Sequence, residues 1–115
     1  MEKIEYQKKI RKLLGKNVLV YVDRQVGYIH EGTTYTQNYG YIKEIVAPDG
    51  EAQDAYIIGI NEPLNEFSGK VIAIIERCDD VEDKLIVSDK DYSDEEIDEY
   101  VNFIEKYFKH KIIRY

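Results

Sequence analysis

The apolar residues of this chain come in short runs. "VLVYV" (Val18–Val22), "AYIIGI" (Ala55–Ile60), "VIAII" (Val71–Ile75) and "KLIV" (Lys84–Val87) are rich in β-branched and aromatic residues, and turn-forming segments separate them. Each reads as a strand, and several short strands at close spacing predict a small barrel or a strongly bent sheet. Between the first two runs, "GYIHEGTTYTQNYGYIKEIV" predicts further short β segments joined by turns. "APDGEAQ" predicts a bend, because Pro48 presets φ and Asp49-Gly50 closes the turn. "NEPLNEFSGK" reads as a loop, and "ERCDDVED" as an acidic bend between two strands. A chain of 115 residues with 43% hydrophobic residues suits one domain with one core and little stability to spare.

The hydrophobic period changes at both ends. Tyr6, Ile10, Leu13 and Leu14 sit at helical spacing, with Gly15 as a stop. This segment, residues 1–16, carries Lys3, Lys8, Lys9, Arg11, Lys12 and Lys16 and a net charge of +4, so the rest of the chain sums to −11. It reads as a short amphipathic helix with a solvated basic face, or as a basic arm that docks on an acidic neighbour. We therefore divide the chain into an N-terminal arm over residues 1–16 and a barrel domain over 17–115. Near the C-terminus Ser93 and Glu96 form a capping box, and Ile97, Tyr100, Val101, Ile104 and Phe108 fall on one face. The spacing predicts a helix over about 94–109 that covers the open side of the sheet, and "IIRY" predicts a short final strand. The class is mainly β with added helices.

Composition excludes several functions. A net charge of −7 argues against general nucleic-acid binding, which needs Lys and Arg to replace counterions. Cys78 is the single cysteine, so no intrachain disulfide forms, which suits a reducing compartment. No apolar run approaches the roughly 20 residues that span a bilayer. Residues 1–16 lack the apolar centre of a signal peptide. The expectation is a soluble cytoplasmic protein with no membrane partner. There is no Gly-rich phosphate loop and no Cys/His zinc pattern, and His30 and His110 read as surface or packing residues. Acidic neighbours disfavour Cys78 as a nucleophile. Asp89, Asp91 and Ser93 imitate the start of a calcium loop, but Asp94 stands where glycine is needed and Tyr100 where glutamate is needed. The helix cap explains that stretch better.

Two acidic clusters flank the strands. One is Asp49, Glu51 and Asp54; the other is Glu76, Asp79, Asp80, Glu82 and Asp83. In a regular strand Glu51 and Asp54 face opposite sides, so they converge only if the chain turns between Asp49 and Asp54. Carboxylates on neighbouring strands are suitable oxygen ligands for hard cations. Solvated turn acids are the plainer reading of either cluster alone.

Four segments in order resemble the soluble (family I) inorganic pyrophosphatases. "YTQNYGYI" resembles the family's Tyr-Pro-x-Asn-Tyr-Gly-Tyr/Phe-Ile stretch. "DGEAQDAYIIG" resembles its Asp-Gly-Asp-Pro-x-Asp followed by an apolar strand. "DDVEDKLIV" resembles its acidic loop ending in Asp-x-Lys and a strand, and "FIEKYF" the helix that carries a phosphate-binding tyrosine. The resemblance runs from about residue 17 to 109. It implies an OB-like β-barrel with a C-terminal helix, and Mg²⁺-dependent hydrolysis of pyrophosphate to two phosphates. By position it implies Asp49, Asp54, Asp79 and Glu82 as metal ligands and Glu51 as the general base. Lys84 and Tyr107 would contact phosphate, Tyr35 would sit near the substrate, and Tyr39 would support the first acidic cluster. Homo-oligomers are common in the family.

The chain also departs from that pattern. Thr36 and Ala52 replace prolines, Glu51 replaces an aspartate, and Phe108 stands where a lysine usually follows the tyrosine. The segment before "YTQNYGYI" is short. "VDRQVG" aligns either with the family's Asp-Arg segment, making Arg24 its phosphate-binding arginine, or with its earlier Glu-Ile-Pro-x-Gly segment, making Asp23 a glutamate equivalent. The second alignment is favoured, and it leaves a Lys-Tyr-Glu hairpin and the arginine missing. The competing function is a non-catalytic homologue that binds a phosphate compound or a partner protein.

Overall fold

The computed structural model describes residues 3–78 and 82–114. In chain order it contains α1 (Lys3–Arg11), β1 (Asn17–Arg24), a small hairpin of β2 (Ile29–His30) and β3 (Thr33–Thr34), β4 (Asn38–Val46) and β5 (Ala52–Ile57). There follow β6 (Glu66–Arg77), β7 (Asp83–Ser88), α2 (Asp94–Glu105) and β8 (His110–Ile113). The sheet runs β1-β4-β5-β7-β6, and β1 also pairs with β6, so five strands close into a barrel with β8 added alongside β6. Among the described residues, β5 and β7 are the one parallel pair. The architecture is the expected OB-like barrel with one helix at each end of the chain.

Alternation along the strands divides the side chains into two cores. Val20, Ile42, Ala55, Ile57, Val71, Leu85 and Val87 point inward and pack with Tyr6, Ile10 and Leu14 of the N-terminal segment. The helical spacing of those three residues thus caps the barrel interior. Of the basic residues of α1, Lys8 and Lys9 stay exposed, Lys3 donates to the Arg77 carbonyl at 3.4 Å, and Arg11 pairs with Glu76 of β6 at 2.9 Å. Tyr56, Ile58, Ile75 and Ile86 point outward and pack beneath Ile97 and Val101 of α2. Because β5, β6 and β7 are covered on both faces, their sequences read as continuous apolar runs rather than as alternating ones.

α2 begins where the capping box places it: the Ser93 side chain accepts from the Glu96 N–H, and the Glu96 carboxylate accepts from the Ser93 N–H. It stops at Glu105, short of the expected 109. β8 pairs antiparallel with β6 and the Cys78 N–H donates to the Lys109 carbonyl at 2.8 Å, so the chain must reverse before His110. Tyr107 and Phe108 therefore lie in a turn. The barrel is already closed, so α2 covers an outer face and not an open side. Among the described residues no helix is long and apolar enough to cross a membrane.

Gly40 shows how tightly the barrel bends. A Cβ there would lie 1.9 Å from the Tyr21 carbonyl oxygen of β1, so only glycine fits in the "NYGY" stretch. Gly50, at φ 87°, closes the turn that leads into β5.

Candidate functional site

The outer ends of the strands form the floor of a cleft of about 640 Å³, walled by the β2–β3 hairpin and by the residues that follow α2. Parallel register places Ala55 opposite Leu85, so Asp54 and Lys84 lie side by side on the outer face. The Lys84 ammonium is buried and donates to Asp54 Oδ2 at 2.7 Å and to Glu82 Oε2 at 3.1 Å. The Tyr39 hydroxyl lies against Asp54; burial pushes its pKa up, and the Asp54 charge adds to that. On β1, Asp23 shares this face. Burial pushes its carboxyl up against the opposing pull of Arg24, and Asp54 raises it further.

Arg24 follows a register shift in the β1–β4 pairing, between Val22 and Arg24. Its guanidinium donates to the Tyr35 hydroxyl and sits 5.5 Å from that ring and 5.9 Å from the rings of Tyr28 and Tyr39. Aromatic faces hold the cation in place by cation–π attraction. On the opposite wall, Arg77 donates from Nε and Nη2 to the two oxygens of buried Glu105, at 3.1 and 2.8 Å. The Phe108 ring lies 3.7 Å above the Arg77 guanidinium. Phe108 thus covers an arginine already supplied by β6, at a place where the family pattern has a lysine.

The structure brings together Tyr35, Tyr39, Asp54, Glu82, Lys84 and Tyr107 around this cleft. Tyr107 is exposed at its edge. Asp49 and Glu51 do not line it. Asp49 reaches its rim: its carboxylate is hydrogen-bonded to Glu82, which pushes Glu82 up and holds Asp49 down, with the Glu51 N–H also donating to Asp49 Oδ1 at 3.0 Å. Asp49 and Glu82 thus bring two sets of carboxylate oxygens to one edge. Glu51 points to solvent from the turn. Asp79 lies outside the described residues. Among the described residues, no three carboxylate, imidazole or thiol side chains gather into a metal-binding group. Asp49 and Glu82 offer hard oxygen donors of the kind a divalent cation takes, while Asp54 is held by Lys84 at 2.7 Å.

Sequence reasoning ranked Arg24 low and passed over Arg77. The signal for Arg77 was present. It continues the outward phase of Ala73 and Ile75, so a charge there had to be buried beneath α2.

No protein-family model matches the sequence, and no curated protein matches it. The structure is similar to that of an inorganic pyrophosphatase from Helicobacter pylori, at 15% identity and a TM-score of 0.66, covering 85% of this chain and 84% of that one. It is similar to an inorganic pyrophosphatase from Ehrlichia chaffeensis at 13% identity and a TM-score of 0.67, covering 85% of each chain. A third, from Neisseria gonorrhoeae, is 16% identical with a TM-score of 0.60, covering 81% of this chain and 74% of that one. The chain has the fold of these bacterial enzymes.

Proposed function

We propose that this protein hydrolyses inorganic pyrophosphate to two phosphates with the help of Mg²⁺. One observation carries the reading. On a barrel of the pyrophosphatase type, one cleft gathers the carboxylates of Asp23, Asp54 and Glu82 with the cations of Arg24 and Lys84 and the hydroxyls of Tyr35 and Tyr39. A tetra-anion needs fixed cations and donors, and carboxylates alone would repel it.

In this reading Lys84 and Arg24 bind phosphoryl oxygens, and the hydroxyls of Tyr35, Tyr39 and Tyr107 orient them. Asp49, Asp54 and Glu82, with Asp79, would hold the divalent ion. When bound, the ion supplies Lewis-acid polarisation and offsets charge on the phosphoryl groups. Glu51 is the general base. It must turn in from the Pro48–Glu51 bend to come within hydrogen-bond reach of the attacking water. Lys84 is held by both Asp54 and Glu82, so substrate oxygens compete with these carboxylates for its protons.

The experiment is phosphate release from pyrophosphate with Mg²⁺ and with chelator, for the wild type and Asp54→Asn. Release that needs Mg²⁺ and is lost in the variant supports the proposal. No release at any Mg²⁺ concentration ends it. A second reading, a phosphate-compound-binding homologue without turnover, draws on the solvent-facing Glu51 and on the engagement of Lys84 by two acids. Calorimetric binding of pyrophosphate without phosphate release would select it.

A further inference from the structure

A second cavity, of about 730 Å³, opens where β1 begins, away from the Asp23–Arg24 end of that strand. Across the length of β1 the two are on the order of 20 Å apart. The sheet register builds this cavity. Lys70 of β6 is paired on one side with Asn17, next to Lys16, and on the other with Ser88, two residues before Lys90. Three segments distant in sequence thus bring three ammonium groups to one rim.

These lysines are exposed, and none has an ion pair or side-chain hydrogen bond among the described residues. Lys90 rests 5.3 Å from the Tyr92 ring. Two acids and an arginine also line the cavity: Arg114 holds Asp91 and also Asp94, each at 2.7 Å, while among the described residues Asp89 has only the Ser88 hydroxyl, 3.4 Å from Oδ1. In a chain of net charge −7, acidic partners are plentiful, yet this rim keeps its like charges unpaired. With Arg114, four cations face two carboxylates around the cavity, and a multiply charged anion offsets that excess of positive charge. Val71 and Ile72 add apolar side chains to the cavity lining.

We propose that this cavity binds a multiply charged phosphate anion through Lys16, Lys70 and Lys90, independently of the cleft described above. Nucleotides and inorganic polyphosphates share the chemistry.

The test is a titration of the full chain, followed by backbone amide NMR shifts in chelator, with tripolyphosphate and with ATP. Saturable shifts at Gly15, Val71 and Lys90 are expected. The triple variant Lys16→Gln, Lys70→Gln, Lys90→Gln should weaken them about tenfold or more, while shifts at Tyr39 and Asp54 persist. Tighter binding of ATP than of tripolyphosphate assigns a nucleotide; equal or weaker binding assigns the inorganic chain. Absent shifts, shifts unchanged in the triple variant, or equal shifts with sulfate at matched ionic strength would overturn the proposal. All three lysines are exposed, so the variant keeps its core.

Discussion

Two carboxylates, Glu105 and Asp83, are almost wholly buried on opposite faces of the barrel wall, and their surroundings differ completely. Glu105, under the outer core, receives two hydrogen bonds from Arg77 and one from the Tyr56 hydroxyl at 2.7 Å. Asp83, facing inward beside Tyr6 and Gln53, has both oxygens buried without a well-formed hydrogen bond among the described residues. Burial, reinforced by the charge of Glu76, pushes its pKa up to about 6 against the weaker pull of Lys3, the Arg77 backbone and the Gln7 side chain. Glu105 pins the end of α2 to the barrel and so fixes the wall of the cleft. Asp83 sits between Glu82 and Lys84, where the chain places polar residues beside a core at a cost in stability. A buried charge is tolerable when its partners are built in, and otherwise it tends to take up a proton.

The comparison breaks most severely at Glu105. Glu105→Ala leaves Arg77 buried without its carboxylate, and a loss of about 3–5 kcal/mol is expected in urea unfolding. A paired replacement of Glu105 and Arg77 by apolar residues of similar volume should recover most of that loss. A cost below about 1 kcal/mol for the single variant would mean that the pair is not an anchor.

Asp83→Asn should act in the opposite direction. The folded-state pKa of Asp83 lies above its usual 3.8, so the native state holds the proton more tightly than the unfolded chain. The stability contributed by that proton is complete below about pH 4 and is lost as pH rises through about 6. In chelator at pH 8 the amide should therefore raise stability by about 1–3 kcal/mol, and the variant's stability should change less between pH 4 and 6. Chemical unfolding at these pH values measures both effects.

Tyr6 tests the same inner face more gently. Its hydroxyl donates to the Gln53 side-chain oxygen, while the Gln53 amide donates to the Asp83 carbonyl at 2.6 Å. Tyr6→Phe should cost about 1 kcal/mol in thermal or urea melts. A neutral result would mean that Gln53 holds its place without α1.

The smallest effect belongs to His110 at the end of the outer face. Its ring nitrogens lie 2.9 Å from the Phe108 carbonyl and 2.9 Å from Asp98, so the imidazolium can donate to both. Burial works to lower its pKa, but the Phe108 carbonyl and Asp98 outweigh it and the net shift is upward. The stabilisation is full below the ordinary value of 6.5 and fades as pH rises through the raised one. Asp98 is well exposed, so solvent screening limits the effect to a few tenths of a kcal/mol. His110→Gln should abolish the corresponding pH dependence above pH 6.

Much of the fold was legible because strand and helix periods leave separate marks. "AYIIGI", "VIAII" and "KLIV" became adjacent strands of the barrel, and Ser93 and Glu96 became the start of α2. The helix end was misplaced because Phe108 continues the apolar spacing of α2, while the pairing of β8 with β6 stops the helix sooner. Within the candidate site, Asp54, Glu82, Lys84, Tyr35 and Tyr39 followed from motif order. The weight of Arg24 and Arg77 did not. It depends on a register shift in one pairing and on a strand phase carried under a helix, and neither is local in sequence.

Spacing along the chain marks most of the strands, the start of α2 and the carboxylates beside apolar runs; Glu66–Lys70, expected as loop, instead extends β6 because it pairs with β1. The tertiary structure decided which charges meet. Barrel closure and the parallel β5–β7 register put Lys84 between Asp54 and Glu82, and α2 over Arg77 gave Glu105 its partner. They also gathered Lys16, Lys70 and Lys90 at one rim. Electrostatic partners are set by distance in space, and for residues tens of positions apart that distance exists only once the strands have paired.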